Sequence, residues 1–294
     1  MIDSVLLVNR VTKQAQLIDQ DESQFVLTEI DLGQVTAQHH TSSYYNQMGA
    51  TIENTTIQTR SVSITGYVIG DTREELTQNK QALNRLVNPL QDLSIIVYNA
   101  YLLVCRPDYS VHYGKTISEN NDYMCKFLIQ GTCGNPLFTE IEQETISLSS
   151  TTGQPLFPLI IPQNEGIIFG KRVLEQIANL ENTGDYPVGI VVTLKALGSV
   201  ENPSITLVET QESIRLNKTL VQGEELVIST ITGDKHVRGV LNGIESNYIQ
   251  YLAYPFSWIQ LQVGSNSIQY DADSGASNIQ ATISFSPAYM EVEK

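Results

Sequence analysis

The 294-residue sequence predicts a mainly β protein built from two domains. Apolar residues alternate with a period of two over much of the chain, which puts every other side chain on one face of a sheet. Val62, Ile64, Gly66 and Val68 form one such run, Ile259, Leu261 and Val263 another, and Ile279, Ala281, Ile283 and Phe285 a third. Turn residues punctuate the second half every ten to twenty positions: Asn182-Thr183-Gly184-Asp185, Asn202-Pro203, Gln222-Gly223-Glu224, Thr232-Gly233-Asp234, Asn242-Gly243, Gly264-Ser265-Asn266 and Asp273-Ser274-Gly275. That spacing suits a β-sandwich or barrel rather than alternating βαβ units.

One segment breaks the β pattern, and its spacing predicts a helix from about Thr72 to Val87. Thr72 and Glu75 have the separation of a capping box, Leu76, Leu83 and Leu86 share one face, and Asn88-Pro89 ends the pattern. Lys171 to Leu180 has some helical spacing at Val173, Leu174, Ile177 and Ala178, but it is short and runs into a strong turn, so a strand is expected.

Ile141 to Pro158 is the stretch densest in Ser, Thr, Gly and Pro, with scattered apolar residues, as inter-domain connections are. The join is therefore expected near residue 150, giving domains 1–150 and 151–294. Ala37 to Gln58 and Pro107 to Asn121 are polar and long for connections inside a compact domain, so each is expected to form an arm or hairpin.

Composition excludes several classes. The chain is 41% hydrophobic and 17% charged, which fits a folded protein rather than a disordered one. Its formal charge of -15 argues against wrapping a nucleic-acid duplex, which needs clustered cations. Met1 to Arg10 has no cationic region and too short an apolar run for a signal sequence, so a cytosolic start is expected. Leu93 to Cys105 falls short of a membrane span, and no membrane insertion is expected. Cys105, Cys125 and Cys133 have no CxxC spacing and read as buried free thiols.

No fragment supports catalysis or a cofactor. His39 and His40 would point to opposite faces of a strand, and His112 and His236 stand alone. Asp271-Ala272-Asp273-Ser274-Gly275 begins like a calcium loop, but its glycine is one place early and Thr282 stands where a bidentate Glu belongs. The carboxylates of Asp19, Asp21 and Glu22, and of Glu140, Glu142 and Glu144, read as solvated faces. Neither a catalytic nor a metal site is expected. Of 22 aromatic residues 14 are Tyr, a side chain suited to half-buried surfaces such as interfaces and sugar sites. Tyr44, Tyr45, Tyr109 and Tyr113, in the two long polar segments, are the candidate inter-subunit contacts. Tyr251, Tyr254 and Trp258 are the candidate carbohydrate contacts.

The second half resembles the C-terminal domain of siphophage distal tail proteins, the phage tail-component family. The matching run is Asn182-Thr183-Gly184-Asp185-Tyr186-Pro187-Val188, then Asn202-Pro203-Ser204-Ile205, Ile214-Arg215-Leu216-Asn217, Leu220 to Ile228, Thr230-Ile231-Thr232-Gly233, Ser257-Trp258-Ile259-Gln260-Leu261 and Gly264 to Tyr270. The first half is similar to the same family's N-terminal domain through Arg60 to Val68, the helix and Asn88-Pro89-Leu90.

The resemblance implies a structural virion protein rather than an enzyme. It implies a tail-tube-like β-sandwich or barrel with one flanking helix, and a galectin-like, carbohydrate-module-like β-sandwich after it. It further implies a homo-oligomer, a hexameric ring at the distal end of the tail, assembled in the host cytoplasm. The tail tube protein, the tape measure protein and a tail-associated lysin, tail fibre or receptor-binding protein would be its neighbours. The galectin sugar motifs are matched only by His236-Val237-Arg238 and Trp258-Ile259-Gln260-Leu261, so Trp258 is expected in the core and carbohydrate binding is the alternative function. Six chains at -15 each give -90, and acidic side chains along a lumen would let DNA pass without sticking.

Overall fold

A computed structural model describes residues 2–21, 24–153, 170–174 and 177–293 of the chain. It divides into two compact units. The first holds Met1–Ile141 together with Ala288–Lys294, and the second holds Glu142–Pro287. The break thus falls between Ile141 and Glu142, the region around residue 150 belongs to the second unit, and the last residues return to the first.

In the first unit the strands are β1 (Ser4–Asn9), β2 (Ala15–Asp19), β3 (Phe25–Asp31), β4 (Ala37–Ser42), β5 (Thr51–Ile57) and β6 (Arg60–Ile69). After the helix α1 (Arg73–Leu86) come β7 (Leu93–Val97), β8 (Tyr101–Pro107), β9 (His112–Tyr113), β10 (Met124–Cys133) and β11 (Phe138–Glu140). Seven of them, in the order β8-β7-β1-β2-β3-β6-β10, close into a barrel because β10 also pairs with β8. Closure removes the free edges that make an open sheet prone to aggregation. Alternation places the core of β6 as the sequence predicts, buried at Val62, Ile64, Gly66 and Val68; β10, not singled out in the sequence, alternates likewise, buried at Cys125, Phe127, Ile129, Gly131 and Cys133.

The helix matches its predicted start and stop, and its stripe of Leu76, Leu83 and Leu86 is buried. The Thr72 hydroxyl accepts from the Glu75 amide at 3.2 Å, the capping half of the predicted box. The return bond goes one residue further than expected, from the Asp71 amide to Glu75 Oε2 at 2.9 Å. Three side chains fasten the helix to its surroundings: Asn79 donates to Ile69 O, Asn9 to Leu86 O and the Tyr113 hydroxyl to Lys80 O, each at 2.9 Å.

The second unit opens with β12 (Glu144–Ser147), β13 (Ser149–Gly153) and β14 (Gly170–Leu174). It continues through β15 (Ile177–Asn182), β16 (Val188–Gly189), β17 (Val191–Ala196), β18 (Val200–Glu201), β19 (Ser204–Leu207), β20 (Glu212–Arg215), β21 (Thr219–Leu220) and β22 (Glu225–Ser229). The last strands are β23 (His236–Leu241), β24 (Ile244–Asn247), β25 (Gln260–Leu261), β26 (Gly264–Asp271) and β27 (Ile279–Phe285). Two sheets dominate, one in the order β12-β27-β17-β22-β23-β24 and the other β15-β26-β19-β20. Each has a buried face made by alternation, with Val192, Leu194, Ala281 and Ile283 in one and Ala178, Leu180, Ile205 and Ile268 in the other.

The described parts of Lys171–Leu180 are strands, as expected; residues 175 and 176, and the Gln154-Pro155 part of the expected connection, lie outside the described residues. The Asn242-Gly243 signal makes a two-residue hairpin turn between β23 and β24, with both residues at positive φ (53° and 78°). Beyond Pro287, β28 (Ala288–Tyr289) adds to β11 in the first unit.

Candidate interaction surfaces

Among the described residues no group of three or more His, Cys, Asp or Glu side chains could hold a metal ion. His39 stands in an exposed strand with Nδ1 2.9 Å from the Thr55 hydroxyl, and His236 hydrogen-bonds Asp234. Asp273, in the segment that begins like a calcium loop, instead pairs with Arg215 at 2.5 Å and accepts from Asn202 at 2.9 Å, closing a turn whose Gly275 is left-handed. The informative features are surfaces.

Residues 37–57 form the most exposed of them. β4 and β5 pair with each other and with no other strand among the described residues, and nearly every residue on both faces is exposed. A bulge between His40 and Thr41 adjusts the register. The tip is nonetheless organised: the Gln47 amide donates to Tyr44 O at 3.0 Å, the Tyr44 amide to Gln47 Oε1 at 2.9 Å, and Gln47 Nε2 to the Thr51 hydroxyl at 3.2 Å. That turn holds Tyr44, Tyr45 and Met48 out at 80%, 96% and 100% exposure. Two-stranded ribbons without a packed face are marginal in water, and among the described residues nothing packs on this one.

The other long segment behaves differently. Residues 107–121 fold back on the first unit, with the Asp108 amide donating to Gln130 O at 3.0 Å and the Gly114 amide to Lys126 O at 2.9 Å. Tyr113 hydrogen-bonds Lys80 O and Asn84 Oδ1, and the Lys80 ammonium lies 4.8 Å from its ring centre. Burial pushes its phenol well above the usual tyrosine range. Tyr113 thus joins the segment to the helix of its own chain, while Tyr109 stays 44% exposed.

On the second unit the three sugar-contact candidates share one segment but not one environment. Residues 248–258 run beside β20, held by bonds from the Asn217 amide to Tyr251 O, the Ala253 amide to Arg215 O and the Ser257 amide to Ser213 O. Tyr251 stands edge-on to Tyr248, with centroids 5.5 Å apart, and Lys218 lies over both rings. Tyr254, ahead of the cis bond to Pro255, is 92% exposed. Trp258 is half-buried rather than in the core as expected: neighbouring Ile259 takes the fully buried position, while the indole packs edge-on against Phe256 and under Lys235 at 5.8 Å. Of the expected alternating run, Ile259 and Leu261 face inward, whereas Val263, beyond β25, is exposed.

Sequence reasoning missed the polar cluster beneath these rings. Lys218 Nζ and the Tyr248 hydroxyl both reach Glu224 Oε1, at 2.9 and 2.6 Å, and the Val221 amide donates to Glu224 Oε2 at 2.9 Å. Glu224 is buried. Burial alone would raise its carboxyl, but Tyr248, the Val221 amide and Lys218 outweigh it and hold the group below the usual carboxylate range.

Family comparison matches residues 17–129 to the phage tail protein RIFT-related domain and residues 183–289 to the siphovirus-type tail component, C-terminal domain. No curated protein matches the sequence. Among solved structures the chain is similar to the SPP1 Dit protein, described as a paradigm of hub adsorption apparatus in Gram-positive infecting phages, with a TM-score of 0.67 at 14% identity over 97% of this chain and 98% of that one. It is also similar to a chain of the phage P2 baseplate in its activated conformation, with a TM-score of 0.54 at 11% identity in the calcium form and 0.50 at 10% in the strontium form. Those two matches cover 98% and 97% of this chain and 98% of each partner. The first match lies within the first compact unit and the second, apart from its last two residues, within the second, and the similar structures cover nearly the whole chain. The chain belongs to the siphovirus tail-component family and is a distal tail protein, a structural component of the virion tail tip.

Proposed function

We propose that six copies close head to tail into a ring at the distal end of a non-contractile tail, with the first unit, Met1–Ile141 and Ala288–Lys294, forming the ring and the second, Glu142–Pro287, a galectin-like sandwich. The ring joins the tail tube and tape measure proteins to a tail-associated lysin, tail fibre or receptor-binding protein, and its lumen continues the DNA channel. Its role is structural rather than catalytic. The observation that carries this reading is the ribbon of residues 37–57, which among the described residues has no packed face and two free strand edges. Glu53 is its sole Asp, Glu, Lys or Arg, so in a chain of charge -15 it can approach another copy with little repulsion. Tyr44 and Tyr45 are its contacts; Tyr109 is a second, peripheral one, and Tyr113 holds its segment to the helix of its own chain.

Negative-stain electron microscopy of the full chain, beside a variant with residues 37–57 replaced by a short Gly-Ser link, tests this. Rings from the full chain and compact monomers from the variant are expected. A strict monomer at high concentration, with no ring on adding tube or hub proteins, overturns the proposal. Rings from the shortened variant would refute the arm assignment while leaving the ring.

Exposed Tyr254 beside half-buried Phe256 and Trp258 favours one second reading, a carbohydrate-binding surface facing the host wall. Saturable binding to a glycan array that is lost in Tyr254→Ala and Trp258→Ala would establish it, and no binding by the full chain would exclude it.

A further inference from the structure

The barrel register puts five buried residues in one row. Asn9 faces Leu93, Leu93 faces Cys105, and Arg60 faces Cys133. Between β8 and β10 the ladder pairs Gly131 with Pro107 and Thr132 with Arg106 and ends there; the same register carried one rung further brings Cys133 opposite Cys105. Asn9, Leu93, Cys105, Cys133 and Arg60 are each at most 2% exposed.

The rung type follows from the hydrogen bonds. The Asp108 amide donates to Gln130 O, and Pro107 has no amide hydrogen to give Gly131. Antiparallel rungs alternate, so Thr132 with Arg106 is a bonded rung and Cys133 with Cys105 a non-bonded one. Non-bonded partners have Cα atoms about 4.5 Å apart, inside the roughly 4.4–6.8 Å span of a disulfide. A second observation concerns Arg60: its Nε and Nη1 are buried without a hydrogen-bond partner among the described residues. They lie on the rung of Cys133, where a sulfur anion would be their acceptor.

We propose that Cys105 and Cys133 are a paired redox site, converted by a peroxide into a disulfide that staples the β8–β10 seam of the barrel. This seam is short, two residue pairs, against ten between β6 and β10. The two thiols have unequal tasks. A hydrogen bond from Cys105 and then the Arg60 guanidinium pull Cys133 below the usual thiol range against the effect of burial, while that same bond holds the proton on Cys105. The Cys133 thiolate attacks one peroxide oxygen, the O–O bond breaks, and the departing hydroxide takes a proton to become water. Cys133 is then a sulfenic acid. The Cys105 sulfur attacks it, the S–O bond breaks, and the second oxygen leaves as water with the Cys105 proton. Two thiols and one hydrogen peroxide give one disulfide and two waters. The small oxidant suits a site closed to bulky disulfides.

The test treats the full-length Cys125→Ala variant with hydrogen peroxide under native conditions and maps peptides after blocking free thiols. The expected result is a Cys105–Cys133 linked peptide, a loss of two hydrogen masses, and a rise in the unfolding temperature of the first unit by about 5–10 °C that a reductant reverses. Cys105→Ser should stop at a sulfenic acid on Cys133 that a dimedone-type reagent captures. Oxidation of Cys133 to sulfinic acid without a crosslink, crosslinks only between molecules, or thiols that stay unreacted in the folded protein would each overturn the proposal.

Discussion

The Tyr248 hydroxyl donates to the Oε1 oxygen of Glu224 at 2.6 Å, and that oxygen also receives the Lys218 ammonium at 2.9 Å. The arrangement keeps a buried carboxylate ionised. Because its folded pKa lies below the usual value of 4.5, Glu224 contributes stability that is fully present above that value and is lost as the pH falls through the folded pKa. Thermal melts of the second unit should therefore lose stability below about pH 4.5, and Glu224→Gln should flatten that part of the profile. The same substitution leaves Lys218 without its charge partner and should cost about 2–3 kcal/mol at neutral pH. An unchanged acid profile in Glu224→Gln would contradict the assignment.

The tyrosines of the two long segments should separate by substitution. Tyr113→Phe removes a hydroxyl bonded to Lys80 O and Asn84, and should cost about 1 kcal/mol by denaturant unfolding while leaving self-association unchanged. Tyr45→Ala removes a side chain that is 96% exposed and should leave monomer stability within about 0.5 kcal/mol, while weakening assembly at least tenfold by sedimentation. A stability loss in Tyr45→Ala without a change in assembly would reverse the roles given to them.

Arg60 fastens the end of the chain. Its fully buried Nη2 donates to Met290 O and to Glu291 Oε1, and its guanidinium lies 4.8 Å from the Phe138 ring centre. Tyr289 adds a 2.6 Å bond to Glu140. Glu291 is 58% exposed and can be solvated alone, so replacing the buried cation by an apolar residue of similar volume need not be costly. Arg60→Met should shift global stability by no more than about 1 kcal/mol, yet lower amide-exchange protection in residues 288–292 by about tenfold. Arg60→Ala, which also leaves a cavity, should cost about 3 kcal/mol. Undiminished protection in Arg60→Met would show that Tyr289 and the β11–β28 pairing hold the tail alone.

Local patterns were the legible part of the sequence. Period-two alternation marks β6 and β27, the Thr72–Glu75 spacing marks the start of α1, and Asn242-Gly243 marks a turn, because each depends on neighbours a few residues apart. Closure of the barrel through β8 and β10, the return of residues 288–289 to β11 and the contact of Lys218 with Glu224 under Tyr248 depend on pairings far apart in sequence, which no local pattern encodes. Length and polarity marked both 37–58 and 107–121 as protruding. They could not tell a free ribbon from a segment folded back on β10, since that difference rests on partners such as Lys126 O and Lys80 O. Trp258 was expected in the core because the galectin sugar motif is unmatched there, but a missing motif says nothing about which way a side chain faces, and Ile259, just ahead of β25, takes the inward place.

Gly66, alone in the strand pattern, has a steric reason that a substitution exposes. A Cβ there would stand 2.2 Å from Val26 O and 2.7 Å from Phe127 Cζ, so both the backbone of β3 and a core ring of β10 occupy its space. The backbone contact cannot be relieved by a rotamer change, and β3 already carries a register shift between Leu27 and Glu29 at this point. Gly66→Ala should therefore cost about 3 kcal/mol, lowering the unfolding temperature of the first unit by about 6–12 °C. Gly134→Ala is the control, because nothing lies within 4 Å of a Cβ at that position and the added methyl should change stability by less than about 0.5 kcal/mol. Equal melting temperatures for the two variants would mean that β3 and β10 yield at Gly66 and that close approach does not fix the barrel there.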